Sequence, residues 1–310
     1  MKKIEFSYPS TSNQCDIRAV KWLPDKKPVA ILQIAHGMTE FIDRYEEFAS
    51  FLCGKGFLVT GNDHLGHGGS VKSQNDWGYF AKKNGNEYVL NDIHELTKIT
   101  KQEYSDLPYF LLGHSMGSFY ARQYIGTYGE EVDAAVIMGT GHEPKIVVKA
   151  GMAMCAVIAL FKGWKYRSKF IDNMVMGAYN KKFAPNRTRA DWLTRNESVV
   201  DKYVNEPRCS FVFTLNAYYN MFKGISRLHD KNLLANIPKD LPILFVSGKD
   251  DPVGSCGKEV KAAYESLLNA GVKDIGMKLY PDDRHEILNE FDKNDVYDDI
   301  YNWLEAKIRN

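Results

Sequence analysis

The 310-residue chain contains 40 lysine and arginine residues against 39 aspartate and glutamate residues, and 44% of its residues are hydrophobic. This composition is typical of a globular protein with a full core, and the balanced charge gives no reason to expect nucleic acid as a partner. The five cysteines show no CxxC spacing, which argues against a disulfide framework or a zinc site and favours a reduced, cytoplasmic protein.

The first half of the chain alternates β-branched or aromatic runs with helical patterns, which is typical of parallel α/β units. Residues 3–8 and 15–23 predict an antiparallel hairpin or ribbon. Four further strands are predicted at PVAILQIAHG, FLVTGND, PYFLLGHS and VDAAVIMGTG, and three of them are nearly continuous apolar runs, as parallel strands buried on both faces require. Apolar spacing between them predicts crossover helices over 44–54, 87–104 and 116–128.

The pattern changes after residue 141, where strand signals vanish for about 95 residues and aromatic residues become frequent. We interpret residues 142–236 as a helical insertion that interrupts one sheet domain, formed by residues 1–141 and 237–310. Strands resume with LPILFVSG and IGMKLY, and helices are predicted over 257–270 and 296–308.

Two features bear on membranes. The N-terminal sequence MKKIEFSYPS lacks the apolar stretch of a secretory signal, so we expect the protein to stay in the cytoplasm. In the insertion, residues 150–161 (AGMAMCAVIALF) are apolar all round, but a helix of this length rises only about 18 Å against a hydrocarbon core of about 30 Å. This helix is too short to cross a bilayer, although it could touch one.

Residues 113–117, GHSMG, form the motif G-x-S-x-G between a predicted strand and a predicted helix. The motif requires a tight turn in which Ser115 holds a strained backbone angle, and the flanking glycines avoid clashes. Such a turn presents the Ser115 hydroxyl at the carboxyl edge of the sheet, where the Met116 amide can face a developing oxyanion. We therefore interpret Ser115 as a nucleophile rather than as a helix N-cap.

A nucleophilic hydroxyl needs a base, and an oxyanion needs a second donor. The run AILQIAHGMTEF ends a strand at His36 and Gly37, and in hydrolases of this layout the next amide, that of Met38, is the second donor. The base of such enzymes follows the serine and the acid in the chain, and His285 in YPDDRHEILNE fits that order.

His64 and His67, in NDHLGHGGS, form an H-x-x-H pair that suggests a metal site. No acidic or cysteine partner lies at the spacing that metal sites of this type use. We therefore predict no metal and no cofactor, and we interpret these histidines as part of a glycine-rich loop.

These segments resemble monoacylglycerol lipases and lysophospholipases of the serine aminopeptidase-like branch of the α/β-hydrolases. HGMTEFIDRY is similar to their oxyanion segment, NDHLGHGGS to their loop D-x-x-G-H-G-x-S, GHSMGS to their nucleophile elbow and RHEILNE to their histidine segment. The run DWLTRNESVVDKYVNEP is similar to bacterial lysophospholipases. The resemblance implies an α/β-hydrolase fold, with a mostly parallel central sheet flanked by helices and the helical insertion as a lid over the acyl site.

The resemblance also implies roles for five residues. Ser115 is the expected nucleophile, His285 the base and Asp251 the acid, while the backbone amides of Met38 and Met116 form the oxyanion hole. The expected reaction is hydrolysis of an acyl ester through an acyl-enzyme intermediate.

Asp251 has a neighbour, Asp250, in the sequence KDDPV. Pro252 biases Asp251 towards an extended backbone, which favours a fixed carboxylate direction, whereas Asp250 can fill a turn. Adjacent extended residues point to opposite sides, so both carboxylates cannot readily reach one imidazole. We predict one triad acid, Asp251, and one turn residue.

For the substrate, the resemblance implies a small acyl-ester lipid, and we expect long-chain monoacylglycerol or lysophospholipid, with short-chain esters also cleaved. A proline-type aminopeptidase would need lid carboxylates for a free amine, but only Asp172 and Asp191 occur between Lys162 and Arg195. An acyl thioesterase or acyltransferase would use the same site. A non-enzymatic receptor on this fold is the remaining alternative.

The apolar helix of the insertion has two interpretations. Residues 150–161 could line an acyl tunnel or rest transiently on a membrane surface, where nearby basic residues would meet anionic headgroups. These basic residues are Lys162, Lys165, Arg167 and Lys169. The helix could equally pack inside the protein with a solvated basic edge, and the sequence leaves these alternatives open.

Overall fold

The computed structural model describes residues 1–308, and within them the chain forms eight strands and ten α-helices. The strands are β1 (Lys2–Pro9), β2 (Asp16–Leu23), β3 (Ala30–Ala35), β4 (Phe57–Asn62), β5 (Tyr109–His114), β6 (Ala134–Met138), β7 (Ile243–Gly248) and β8 (Ile275–Tyr280). The helices are α1 (Glu46–Gly54), α2 (Gly85–Glu103), α3 (Met116–Tyr128), α4 (Lys145–Lys162), α5 (Lys169–Met176), α6 (Glu197–Asn205), α7 (Leu215–Arg227), α8 (Lys231–Ala235), α9 (Lys258–Asn269) and α10 (Lys293–Ile308).

All eight strands lie in one sheet, in the order β1-β2-β4-β3-β5-β6-β7-β8. β1 pairs antiparallel with β2, and β2 pairs antiparallel with β4, which confirms the predicted hairpin at the start of the chain. From β4 across to β8 every neighbouring pair is parallel, which confirms the predicted parallel sheet. The five central parallel strands are buried along their whole length because helices cover both faces.

Side chains that alternate along each strand enter two separate cores. On β6, Val136 packs with residues of α1 and α10 on one face, whereas Ala135 and Ile137 pack with residues of α2, α3, α7 and α9 on the other. The period of two in a strand produces this division. Helix α1 begins later than predicted, because a short 3₁₀ turn at Ile42–Tyr45 precedes it and it starts at Glu46 instead of residue 44.

The parallel strands bring six loops to one edge of the sheet, because their carboxyl ends all point the same way. These loops follow β3, β4, β5, β6, β7 and β8. They carry every residue for which a catalytic role is predicted from the sequence.

Between β6 and β7, a stretch that is described throughout, the chain forms helices α4 to α8 and no strand. The apolar helix predicted over 150–161 is longer, because α4 begins at Lys145 and ends at Lys162. Cys155 and Ala159 of α4 pack into the core shared with α7. No helix within residues 1–308 is long and apolar enough to cross a membrane. The predicted domain limits at 142 and 236 stay predictions.

Candidate active site

Ser115 lies in a sharp turn between β5 and α3, with φ of 54° and ψ of −120°. A non-glycine residue rarely adopts this positive φ, and strain of this kind is typical of functional turns. The amide of Ser115 donates to the carbonyl oxygen of Met138, 2.9 Å away, so the turn is tied to β6.

The flanking glycines are required by close backbone contacts. A Cβ atom placed on Gly113 would lie 2.3 Å from the carbonyl oxygen of Gly117. One placed on Gly117 would lie 2.0 Å from the carbonyl oxygen of Ala35. The predicted reason for the glycines of this motif therefore agrees with the packing, because neither position has room for a methyl group.

The loop after β3 lies directly against Ser115. A Cβ atom on Gly37 would lie 3.0 Å from the Cβ of Ser115, so this loop and the serine turn are in close contact. Thr39, at a φ of 51°, shares a 2.7 Å hydrogen bond with the Tyr203 hydroxyl of α6. Met116 starts α3, and both Met38 and Met116 line the same cavity as Ser115.

His285 and Asp251 form a buried hydrogen-bonded pair, with 2.9 Å between Nδ1 of His285 and Oδ2 of Asp251. Asp251 is 0% exposed and His285 is 2% exposed. The amide of Val253 donates to Oδ1 of Asp251 at 2.9 Å, and the Ser247 hydroxyl donates to Oδ2 at 3.2 Å. These contacts fix the carboxylate, whose Oδ2 atom faces Nδ1 of the imidazole.

The two adjacent aspartates have different surroundings. Asp250 is partly exposed and forms an ion pair with Lys182 of the insertion, whereas Asp251 points to His285. The structure thus brings Asp251 and His285 together, whereas Asp250 pairs with Lys182.

A cavity of about 500 Å³ covers this edge of the sheet and contains Ser115 and His285 in its wall. Its roof comes mainly from the helical insertion, whose lining side chains include Val148, Met154, Met174, Val175, Phe222 and Ile225. A largely apolar cavity with a few polar groups is the usual form of a small-molecule site.

A buried charged network lies beside the cavity, and sequence reasoning missed it. Arg44 forms a bidentate pair with Glu286 at 2.7 Å and contacts Glu40 at 2.7 Å. Glu40 accepts the amide of Gly37, so the network joins the loop after β3 to the neighbour of His285. The sequence signal was weak: Arg44 belongs to the segment HGMTEFIDRY, but its partner Glu286 lies 242 residues away.

The same network shifts two pKa values. Burial alone would raise the pKa of Glu40, but the hydrogen bond with His114 and the guanidinium of Arg44 hold it well below its usual range. Burial opposes protonation of His114, yet the Glu40 carboxylate raises the pKa of this histidine. Glu40 and His114 therefore each favour the charged form of the other.

His36, His64 and His67 form a buried cluster near the loop after β3. The amide of His64 donates to Nε2 of His36 at 2.9 Å, and Nε2 of His64 donates to the carbonyl oxygen of His36 at 3.0 Å. Burial lowers the pKa of His36 and of His67 to about 3, so both are neutral. The structure gives His36 and His64 a role in holding two loops together.

The comparisons with known proteins agree with this geometry. The family model Hydrolase_4, described as serine aminopeptidase, S33, matches residues 26–292. Monoglyceride lipase of Mus musculus is 25% identical over 297 residues, which cover 93% of this chain and 86% of that protein. A monoglyceride lipase homolog of Monkeypox virus is 38% identical over 293 residues, covering 93% of this chain and 94% of the viral protein.

Among solved structures, a thermostable carboxyl esterase from Bacillus coagulans, crystallised in complex with glycerol, is 28% identical to this chain. The two structures superpose with a TM-score of 0.91 over 99% of both chains. The fold and the family resemblance predicted from the sequence are therefore confirmed. With its parallel sheet, its strained serine turn and a family match over most of its length, the chain is an α/β-hydrolase enzyme and belongs to the serine aminopeptidase S33 (Hydrolase_4) family.

Proposed function

We propose that the protein is a serine carboxylester hydrolase that cleaves lipid esters, with monoacylglycerol as its principal substrate. Ser115 is the nucleophile, His285 the general base and Asp251 the acid of the triad. One observation carries the proposal: the strained Ser115 and the buried pair of His285 and Asp251 meet at one largely apolar cavity. The names of the two relatives and the glycerol complex support the choice of a glycerol ester.

The reaction proceeds in two halves. In the first, Nε2 of His285 takes the proton of Ser115 as Oγ attacks the ester carbonyl, and the amides of Met38 and Met116 stabilise the oxyanion. The intermediate then collapses, and His285 passes its proton to the departing glycerol oxygen, which leaves an acyl group on Ser115. In the second half, His285 deprotonates water, which attacks the acyl-enzyme to form a second tetrahedral intermediate. This intermediate collapses as His285 returns the proton to Oγ of Ser115, and the fatty acid is released.

Asp251 supports both halves of the reaction. Its Oδ2 atom accepts the Nδ1 proton of His285 and stabilises the imidazolium that forms each time the ring takes a proton. Because the pair is buried, this stabilisation acts in a medium of low dielectric constant, where it is stronger than in water.

The helical insertion acts as a lid over the acyl chain, and its outer face meets the lipid surface. One side of α4 is buried, but Ile146, Leu160 and Phe161 are 75%, 83% and 83% exposed, and Phe170 of α5 is 63% exposed. Exposed apolar residues beside lysines suit transient binding to an anionic membrane. Substitution of Leu160 and Phe161 by serine should weaken sedimentation with phosphatidylglycerol vesicles, whereas Phe291→Ser should not, and equal binding by all three proteins would refute the membrane contact.

A second candidate, cleavage of an N-terminal residue from a peptide, is favoured by two carboxyl groups in the cavity wall. Glu143 and Glu259 both line the cavity, and both lie close to Gly141. Burial, followed by the charge of Glu259, raises the pKa of Glu143 to about 7. Carboxyl groups of this kind bind free amines, and these two lie outside the stretch from Lys162 to Arg195, where Asp172 and Asp191 are the carboxyl groups.

The test is a substrate panel applied to the parent enzyme and to Ser115→Ala. The panel contains 2-oleoylglycerol, lysophosphatidylcholine, p-nitrophenyl butyrate and proline p-nitroanilide. We expect the highest kcat/KM on 2-oleoylglycerol, a loss of all turnover in Ser115→Ala, and full turnover in Ser105→Ala, a change at an exposed serine far from the site. Cleavage of the ester by Ser115→Ala at the parent rate would exclude the triad, and a preference for proline p-nitroanilide or lysophosphatidylcholine would exclude monoacylglycerol as principal substrate.

A further inference from the structure

The insertion contains a segment that pairs with the loop carrying His285. The segment is residues 191–195, and the His285 loop is residues 281–290. The amide of Glu286 donates to the carbonyl oxygen of Leu193 at 2.7 Å, and the amide of His285 points to the carbonyl oxygen of Trp192 at 3.5 Å. The Trp192 ring also lies against the His285 ring, with 5.0 Å between centroids. The backbone of the insertion therefore supports the histidine directly.

Arg195 joins the two ends of the His285 loop. Its Nη2 atom donates to Oδ1 of Asp283 at 2.5 Å, and its Nε atom donates to Oε2 of Glu290 at 3.0 Å. Its backbone amide also contacts both carboxylate oxygens of Glu290 at 3.1 Å. The side chains of Asp283 and Glu290 are both 0% exposed, and burial, followed by the charge of Glu290, raises the pKa of Asp283 to about 8. One partly exposed guanidinium therefore holds two buried acidic side chains, and it also contacts the exposed Asp292 at 2.8 Å.

The arginine of the His285 loop itself, Arg284, has different partners. Arg284 donates to the carbonyl oxygen of Asp191, and its guanidinium lies over the Phe183 ring, 4.1 Å from the centroid. Its amide donates to Glu290 at 2.9 Å, but its charged group faces the insertion. Loss of the Arg195 side chain would thus leave two buried acidic side chains flanking His285 without the cation that they share, which destabilises the local arrangement.

Asp283 is also the contact point between the His285 loop and the loop that carries Asp251. The carbonyl oxygen of Asp283 accepts the amide of Asp250 at 2.9 Å. A Cβ atom on Gly248, at the end of β7, would lie 2.2 Å from the same carbonyl oxygen, so the two loops are in close contact. A shift of Asp283 would move His285 relative to Asp251, because the two side chains stand on these two loops.

We propose that Arg195 is a positioning residue of the active site, which clamps Asp283 and Glu290 so that His285 keeps its place between Asp251 and Ser115. The proposal rests on the catalytic roles proposed above for these three residues. It divides the insertion into two parts with different tasks: residues 191–195 hold the catalytic base, whereas α4 and α5 carry the exposed apolar surface.

The experiment compares Arg195→Gln, Arg195→Lys and the control Arg187→Gln with p-nitrophenyl butyrate as substrate. In Arg195→Gln, kcat should fall by about tenfold to hundredfold, because small displacements of a catalytic group cost rates of this size. KM should stay within about twofold of the parent value, because Arg195 does not line the cavity. Arg195→Lys should recover part of kcat, since it restores the charge but not the fork that reaches two carboxylates.

Arg187 is a matched control because it is an arginine of the insertion that pairs with Asp201 at the surface, and its substitution should leave kcat unchanged. A lower melting temperature of Arg195→Gln with an unchanged kcat would overturn the proposal and leave Arg195 a purely structural role. A raised KM with an unchanged kcat would also overturn it and would assign Arg195 to substrate binding.

If Arg195→Gln does not fold, Asp283→Ala removes the same contact from the other side, and its kcat should fall with KM unchanged. Full kcat in Asp283→Ala would overturn the proposal. The proposed function is tested separately by Ser115→Ala: an inactive Ser115→Ala together with a fully active Arg195→Gln refutes the positioning role alone.

Discussion

The two sides of the candidate active site are held in place by different means. On one side, Ser115 is held by backbone geometry: a positive φ, two neighbouring glycines and a hydrogen bond to Met138. On the other side, His285 stands on a loop held by charged side chains, with Arg44 on Glu286 and Arg195 on Asp283 and Glu290.

This difference determines which substitutions each side of the candidate active site tolerates. Close backbone contacts leave no room for one added methyl group, but they involve no titratable group and do not depend on salt or pH. A buried ion pair can tolerate a side chain of different shape that keeps the charge. Removal of one partner instead leaves the other charge buried without compensation. The serine side should therefore respond to added volume, and the histidine side to lost charge.

The largest expected effect is on the acid of the histidine side. Asp251→Asn should lower kcat by about four orders of magnitude, because an amide can donate to Nδ1 and thereby stabilise the wrong tautomer of His285. Asp250→Asn is the matched control, one residue away and paired with Lys182, and it should keep kcat within about twofold. Steady-state kinetics on p-nitrophenyl butyrate measure both, and a larger loss in Asp250→Asn would reverse the assignment of the two aspartates.

The next largest effect is expected for Arg44, whose guanidinium joins the serine side to the histidine side of the site through Glu40 and Glu286. Arg44→Gln should lower the free energy of unfolding by about 3 to 5 kcal/mol, since Glu40 and Glu286 are buried and would lose their shared cation. Urea denaturation measures this change. Arg227→Gln, which removes a surface arginine 3.9 Å from Glu87, should change it by less than about 1 kcal/mol. Equal losses of unfolding free energy in the two variants would show that the buried ion pairs of Arg44 stabilise the protein no more than a surface ion pair does.

The same difference explains which parts of the molecule could be predicted from the sequence. The sheet, the crossover helices and the Ser115 turn could be predicted from local sequence patterns. The spacing of apolar residues, the order of strand and helix, and the flanking glycines can each be recognised within a short segment. His285 and Asp251 required the order of motifs along the chain and a family resemblance. The ion pairs of Arg44 and Arg195 were not predicted, because partners about 90 to 240 positions apart in the chain leave no local sequence pattern.

The smallest of the three expected effects comes from adding side-chain volume, without any change of charge, on the serine side of the site. Gly117→Ala adds one methyl group at a position where its carbon would lie 2.0 Å from the carbonyl oxygen of Ala35, so β3 or α3 must move. We expect a loss of about 1 to 3 kcal/mol in the free energy of unfolding, with a fall in kcat because the same shift displaces Ser115. Gly54→Ala is the matched control in helix α1, where an added Cβ meets nothing within 4 Å, and it should stabilise the protein by about 0.5 to 1 kcal/mol. If Gly117→Ala were as stable and active as Gly54→Ala, backbone contacts would not be what holds Ser115, and the contrast between the two sides of the site would fail.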